Sequence, residues 1–140
     1  MATILLVDDD PSCVEIASIV CAGAGHEVIV ARNGQDALYA LVRQPVDLVL
    51  MDVVMPVLDG LEATRLIRQN PAFAALPVIG FTAVGDLDTR MKMEQVGMCG
   101  VVRKPYRNGQ LVAAIAAALG SPELVKTVPQ RVPTTSQVNA

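Results

Sequence analysis

The chain has 140 residues, enough for one domain of ordinary size, and 52 % of them are hydrophobic. With no Trp, two Phe and two Tyr, the core must be built from Val, Ile, Leu, Ala and Met. A net charge of −3 without a long basic run argues against a dedicated nucleic-acid binder, and no apolar run reaches the ~18 residues of a membrane span.

Met1 leads directly into an apolar strand pattern, so no signal peptide is expected. TILLV (3–7) reads as the first strand. Asp10-Pro11 is an N-cap followed by Pro at the first helical position, which predicts a helix from there to about Ala22, stopped by Gly23 and Gly25. Its helical period predicts Cys13, Ile16, Ala17, Val20 and Cys21 on the buried face and Val14, Ser18 and Ile19 outward. EVIVA (27–31) is the second strand, and Asn33-Gly34 opens a helix to about Arg43. DLVLM (47–51) is the third strand, followed by a Pro- and Gly-containing loop at 53–60. Asp59 caps a helix from Gly60 to about Gln69, ended by Asn70-Pro71. PVIGF (77–81) is the fourth strand, Asp86 caps a helix to about Val96, and Gly97 closes it. CGVVR (99–103) is the fifth strand, and an Ala-rich helix covers about 107–119.

Five βα units of this kind close naturally as an α/β fold. It is a five-stranded parallel doubly wound sheet of flavodoxin-like order 2-1-3-4-5, flanked by five helices with right-handed crossovers. Continuous apolar strands are those buried on both faces. The domain is expected at 1–120. Residues 121–140, interrupted by Pro122, Pro129 and Pro133, read as a flexible tail with no room for a second folded domain.

Polar residues fall at the same end of four strands: Asp8 and Asp9 after the first, Asp52 after the third, Thr82 after the fourth, Lys104 after the fifth. Ligands bind beyond the carboxyl ends of the strands in such sheets. Three carboxylates in one crevice repel one another, so at least one pKa should rise unless a cation is bound. Hard oxygen ligands suit Mg²⁺, with Mn²⁺ as the alternative. One carboxylate can attack phosphorus to form an acyl phosphate, a reaction that needs alignment and charge neutralisation more than covalent help. Lys104 and Thr82 can supply a charge and a hydrogen bond to the phosphoryl oxygens. Asp10 and Asp59 read as helix caps. The sole histidine, His26, reads as a solvated loop residue without a catalytic role. Cys13, Cys21 and Cys99, odd in number and without zinc-ligand spacing, read as buried free thiols in a reduced cytoplasmic setting.

The segments ILLVDDDP (4–11), DLVLMDVVMPVLDG (47–60), PVIGFTA (77–83) and VVRKPY (101–106) resemble, in order and spacing, the receiver domain of two-component response regulators, over about residues 3–119. The acidic pair alone is a weak signal. Together with D-x-x-M-P-x-x-D-G, the strand-end Thr-Ala and Lys-Pro, it is highly specific. The resemblance implies a cytoplasmic bacterial signalling domain rather than a turnover enzyme. In it Asp52 is the phosphoacceptor, Asp8, Asp9, Asp52 and the backbone carbonyl of Val54 hold Mg²⁺, and Thr82 and Lys104 contact the phosphoryl group. It implies a histidine kinase or histidine phosphotransfer protein as donor, a downstream protein as target, no nucleic-acid or membrane partner, and a monomer or weak dimer. Helix 1 and the loop after the last strand would face the phosphodonor.

Two positions depart from the family pattern. Val101 stands where the family usually has an aromatic residue that turns inward on activation; Tyr106 is aromatic but lies after Lys104-Pro105. Val54 and Val84 stand where polar side chains often orient the attacking water, which predicts slow self-dephosphorylation. Two other classes compete. An aspartyl-phosphate phosphatase of the haloacid-dehalogenase type would show a second acid two residues after its nucleophile, where this chain has Val54. A pseudo-receiver that binds without phosphate is disfavoured by the full set Asp8, Asp9, Asp52, Thr82 and Lys104.

Overall fold

The computed structural model describes residues 1–120; the tail expected at 121–140 lies outside the described residues. The elements alternate in chain order: β1 (Thr3–Val7), α1 (Pro11–Gly23), β2 (Glu27–Ala31), α2 (Gly34–Arg43), β3 (Leu48–Met51), α3 (Gly60–Gln69), a 3₁₀ turn (Pro71–Phe73), β4 (Val78–Thr82), α4 (Leu87–Gln95), β5 (Gly100–Arg103) and α5 (Asn108–Ala118). All strands are parallel, in the order β2-β1-β3-β4-β5.

Strand alternation splits the core into two layers. Leu5, Val7, Val49, Met51 and Val78 face α2, α3 and α4, where they meet Ala37, Leu41, Ala63, Ile67 and Met93. Ile4, Leu6, Leu48, Leu50, Ile79 and Phe81 face α1 and α5, where they meet Val14, Ala17, Val20, Leu111 and Ile115. β1, β3 and β4 are buried nearly throughout, as unbroken apolar runs require. β2 is an edge strand, and only Ala31 of it is buried. The helices begin where local chemistry allows. Asp10, Asn33, Asp59 and Asp86 each accept a hydrogen bond from a backbone N–H in the first turn that follows.

Three expectations are corrected. On α1, Val14 is buried, Ile16 is 54 % exposed and Cys13 is only half-buried. This helix is apolar nearly all round, so its period does not choose a face. Packing against β1, β2 and α5 does, and it selects Val14, Ala17, Val20 and Cys21. The cysteines are not all buried: Cys21 is, whereas Cys99, just before edge strand β5, is exposed. His26 is half-buried rather than solvated. Its Nδ1 accepts the Ala2 N–H at 3.1 Å, and burial, then the nearby N-terminal ammonium, lowers its pKa.

Gly60, the first residue of α3, is required by close approach. A Cβ there would stand 1.9 Å from the Asp52 carbonyl oxygen and 2.9 Å from Met51 Cγ. Gly60 N–H also donates to Val53 O at 2.9 Å, drawing the helix start against the end of β3. Gly60→Ala is therefore expected to cost about 1–3 kcal/mol by overpacking against backbone that cannot yield. The urea midpoint checks this, and an unchanged midpoint would refute it.

Candidate functional site

The register of the sheet assembles the site. Val7 pairs with Met51, so the residues that follow, Asp8 and Asp52, emerge side by side. Asp52 N–H donates to Val7 O at 2.9 Å and Asp8 N–H to Ala31 O at 3.1 Å, so both residues still belong to the ladder. Thr82 pairs with Arg103, and Lys104 N–H donates to Thr82 O at 2.9 Å, which carries Lys104 to the same edge.

Asp8, Asp9 and Asp52 each offer a carboxylate oxygen, and these oxygens lie within 4.8 Å of one another. Asp8 is fully buried, Asp52 nearly so, and Asp9 opens to solvent. Lys104 lies across the nest: its ammonium is 2.5 Å from Asp8 Oδ2 and 3.6 Å from Asp52 Oδ2. Asp8 Oδ1 accepts the Asp10 N–H at 3.0 Å. Thr82 is buried, and its Oγ1 accepts the Val84 N–H at 3.2 Å. Four of the residues singled out in the sequence, Asp8, Asp9, Asp52 and Lys104, thus meet in one pocket, with Thr82 on the adjoining strand end. Asp10 and Asp59 cap helices, as expected.

Burial raises the Asp52 carboxyl from its ordinary 3.8 to about 6; the Lys104 charge opposes this and the Asp8 charge adds to it. At Lys104 burial disfavours the ammonium, but its hydrogen bond to Asp8 and the charges of Asp52 and Asp8 outweigh burial and raise its pKa. One ammonium thus pairs with two of the three acids, leaving negative charge for which a hard divalent cation is suited. An all-oxygen donor set with one solvent-open ligand fits Mg²⁺, which keeps several of its waters.

The loop from β3 to α3 continues directly from Asp52. Val57 has φ +72°, and Leu58 N–H closes a tight turn onto Pro56 O at 2.8 Å. A β-branched residue in this region carries strain, and the turn leaves Val57 81 % exposed. Val54, two residues beyond Asp52, is also turned outward. Behind Lys104, its ammonium lies 4.7 Å from the centroid of the Phe81 ring. Sequence reasoning missed this partner, because a Phe in a strand signals only core. Val101 lies on the opposite side of the sheet. It lines, with Leu87, Met91, Met93 and Met98, a cleft of about 140 Å³ between α4 and β5, edged by Arg90 and Glu94, that includes none of Asp8, Asp9 and Asp52.

A family model described as the response regulator receiver domain matches residues 4–116. Protein PilH of Pseudomonas aeruginosa is 34 % identical over 119 residues, 85 % of this chain and 98 % of PilH. The CAI-1 autoinducer sensor kinase/phosphatase CqsS of Vibrio cholerae is 37 % identical over 115 residues, 81 % of this chain. The chain spans only 17 % of CqsS and about half the length of several other curated relatives. Among solved structures, the receiver domain of the sensor histidine kinase PA1611 of Pseudomonas aeruginosa, which holds a magnesium ion in its active-site cleft, superposes with a TM-score of 0.80. It is 32 % identical, over 86 % of this chain and 98 % of that one. The chain belongs to the response regulator receiver family.

The raised Asp52 pKa sets the sign of a pH effect. The folded state holds a proton on Asp52 between pH 4 and 6 that the unfolded chain has released, so this group lowers stability as pH rises through that window. In metal-free buffer, Asp52→Asn is expected to stabilise the fold by roughly 1–3 kcal/mol at pH 7, and the gain should vanish near pH 4. Urea titrations at both pH values check this. A gain that persists at pH 4 would show that the effect is not ionisation of Asp52.

Proposed function

We propose that this receiver is a single-domain response regulator that accepts a phosphoryl group from a phosphohistidine onto Asp52. The observation that carries the reading is the Asp8–Asp9–Asp52 nest with Lys104 at 2.5 Å and 3.6 Å from two of its members. In the transfer, a carboxylate oxygen of Asp52 attacks phosphorus, the P–N bond to the donor histidine breaks, and an acyl phosphate forms. Asp8, Asp9, Asp52 and the Val54 carbonyl would hold Mg²⁺, which when bound neutralises charge on the phosphoryl oxygens. Lys104 offers its ammonium from the side of β5, and Thr82 offers a hydroxyl. The full-length match to PilH supports the single-domain reading.

The donor is then a histidine kinase or a histidine phosphotransfer protein, and the output is contact with another protein, from a monomer or weak dimer. The protein modifies itself and turns over no separate substrate. Its setting is the bacterial cytoplasm. Nucleic acid and membrane are not partners in this reading.

Incubation with acetyl phosphate and Mg²⁺ should add one base-labile phosphoryl group by intact mass, and Asp52→Asn should add none. A well-folded parent that gains nothing from acetyl phosphate or from a phosphohistidine donor would favour the pseudo-receiver reading. Mg²⁺ alone should raise stability by about RT ln(1 + [L]/Kd), and the melting temperature with it, since the unfolded chain has no nest.

Dephosphorylation is expected to be slow. Val54 is exposed beside Asp52, and Val84 gives only its N–H to Thr82, so neither apolar side chain can orient a water. Val54→Asn should shorten the phosphoryl half-life severalfold, and an equal or longer half-life would exclude this explanation.

A further inference from the structure

Tyr106 is held in an arrangement that the core does not need. Its ring packs with the α1/α5 layer and lies 5.5 Å from Phe81, tilted by 53°. Its hydroxyl reaches neither solvent nor a protein hydrogen-bond partner. A buried phenol without a partner loses its hydration and gains nothing in return, so Phe would fill this seat at lower cost. The residue as a whole is only half-buried, at the entry to α5, so a route to solvent is close.

The same ring is joined to the acid nest. Phe81, which Tyr106 abuts, carries the Lys104 ammonium 4.7 Å from its centroid, and Lys104 and Tyr106 are separated only by Pro105. That ammonium is bound to Asp8 at 2.5 Å and stands farther from Asp52, at 3.6 Å. New negative charge on Asp52, and competition by a divalent cation for Asp8, both draw the ammonium toward Asp52. A shift of that kind would change the contact of the ammonium with the Phe81 ring and pull on the chain at Pro105.

Resting on the reading of Asp52 as phosphoacceptor, we propose that Tyr106 is the side chain that reports the state of the nest. It is seated inward against Phe81 while Lys104 serves Asp8, and released to solvent when Lys104 is drawn to a phosphorylated Asp52. Val101 cannot do this, since it is apolar and packs in the opposite core layer. The surface that changes with phosphorylation is therefore on the α1/α5 side of the sheet.

Tyrosine fluorescence tests this directly. The chain has two tyrosines and no Trp, so Tyr39→Phe leaves Tyr106 as the only emitter, and acrylamide quenching reads its exposure. Acetyl phosphate and Mg²⁺ are added, the carboxylate of Asp52 takes the phosphoryl group and acetate leaves, and intact mass gives the phosphorylated fraction. The quenching constant should rise severalfold in proportion to that fraction, and it should stay at the resting value in the Tyr39→Phe/Asp52→Asn protein. A full mass gain with Tyr106 still shielded would overturn the proposal and leave the phosphoacceptor reading intact. Absence of a mass gain, from acetyl phosphate and from a phosphohistidine donor alike, would overturn both. Tyr106→Phe should take up phosphate like the parent and melt at the same or a higher temperature. A clearly lower melting temperature would mean that the hydroxyl has a partner, and the proposal would fall.

Discussion

Three carboxylates forced together with one ammonium are the constraint on which the site depends. Asp8 is fully buried and Asp52 nearly so, and Lys104 stands between them with its side chain only 15 % exposed. A buried ion pair of this kind is poor evidence of stability, because desolvation offsets its attraction. Its value is that it is unfinished. Lys104 satisfies Asp8 closely and Asp52 loosely, and burial first, then the charge of Asp8, raises the pKa of Asp52 against the opposing Lys104 charge. The pocket is thus held short of positive charge, and the group on which this shows is Asp52.

The sheet makes this strain tolerable. Parallel pairing through Val7–Met51 and Met51–Gly80 fixes the strand ends relative to one another, and β1 and β3 are anchored by apolar residues on both faces. The acids cannot spread apart without breaking pairs such as the Asp52 N–H to Val7 O bond. Gly60 completes the frame by letting α3 start against the Asp52 carbonyl. Where the chain has more freedom, in the loop after β3, it carries a strained Val57 and outward valines instead of polar groups.

The sequence made legible what is local or repeated. Unbroken apolar runs marked β1, β3 and β4, and Asp-Pro, Asn-Gly and Asp-Gly marked the helix starts within a residue or two. The candidate residues were legible because each falls at the same end of a different strand, so topology alone brings them together. Three features were not. The buried face of α1 is chosen by its neighbours, because Val14, Ile16 and Ile19 are all apolar and no period separates them. The acceptor role of His26 toward Ala2 depends on how the N-terminus lies against the start of β2. The pairing of Lys104 with Asp8 across 96 positions, and the ring of Phe81 beneath it, arise only once β4 and β5 are in register.

The two core layers are thereby unequal. The layer facing α2, α3 and α4 meets Val101 and Met side chains around a small cleft, none of which contacts the nest through a charged group. The layer facing α1 and α5 contains Phe81, whose ring touches the one cation of the site, and Tyr106, whose hydroxyl is unsatisfied. A change of charge at Asp52 acts first on Lys104, because no other cation is paired with the nest among the described residues. It acts next on whatever Lys104 rests against. In this chain that is the ring of Phe81, which is itself packed against Tyr106 on the α1/α5 side of the sheet.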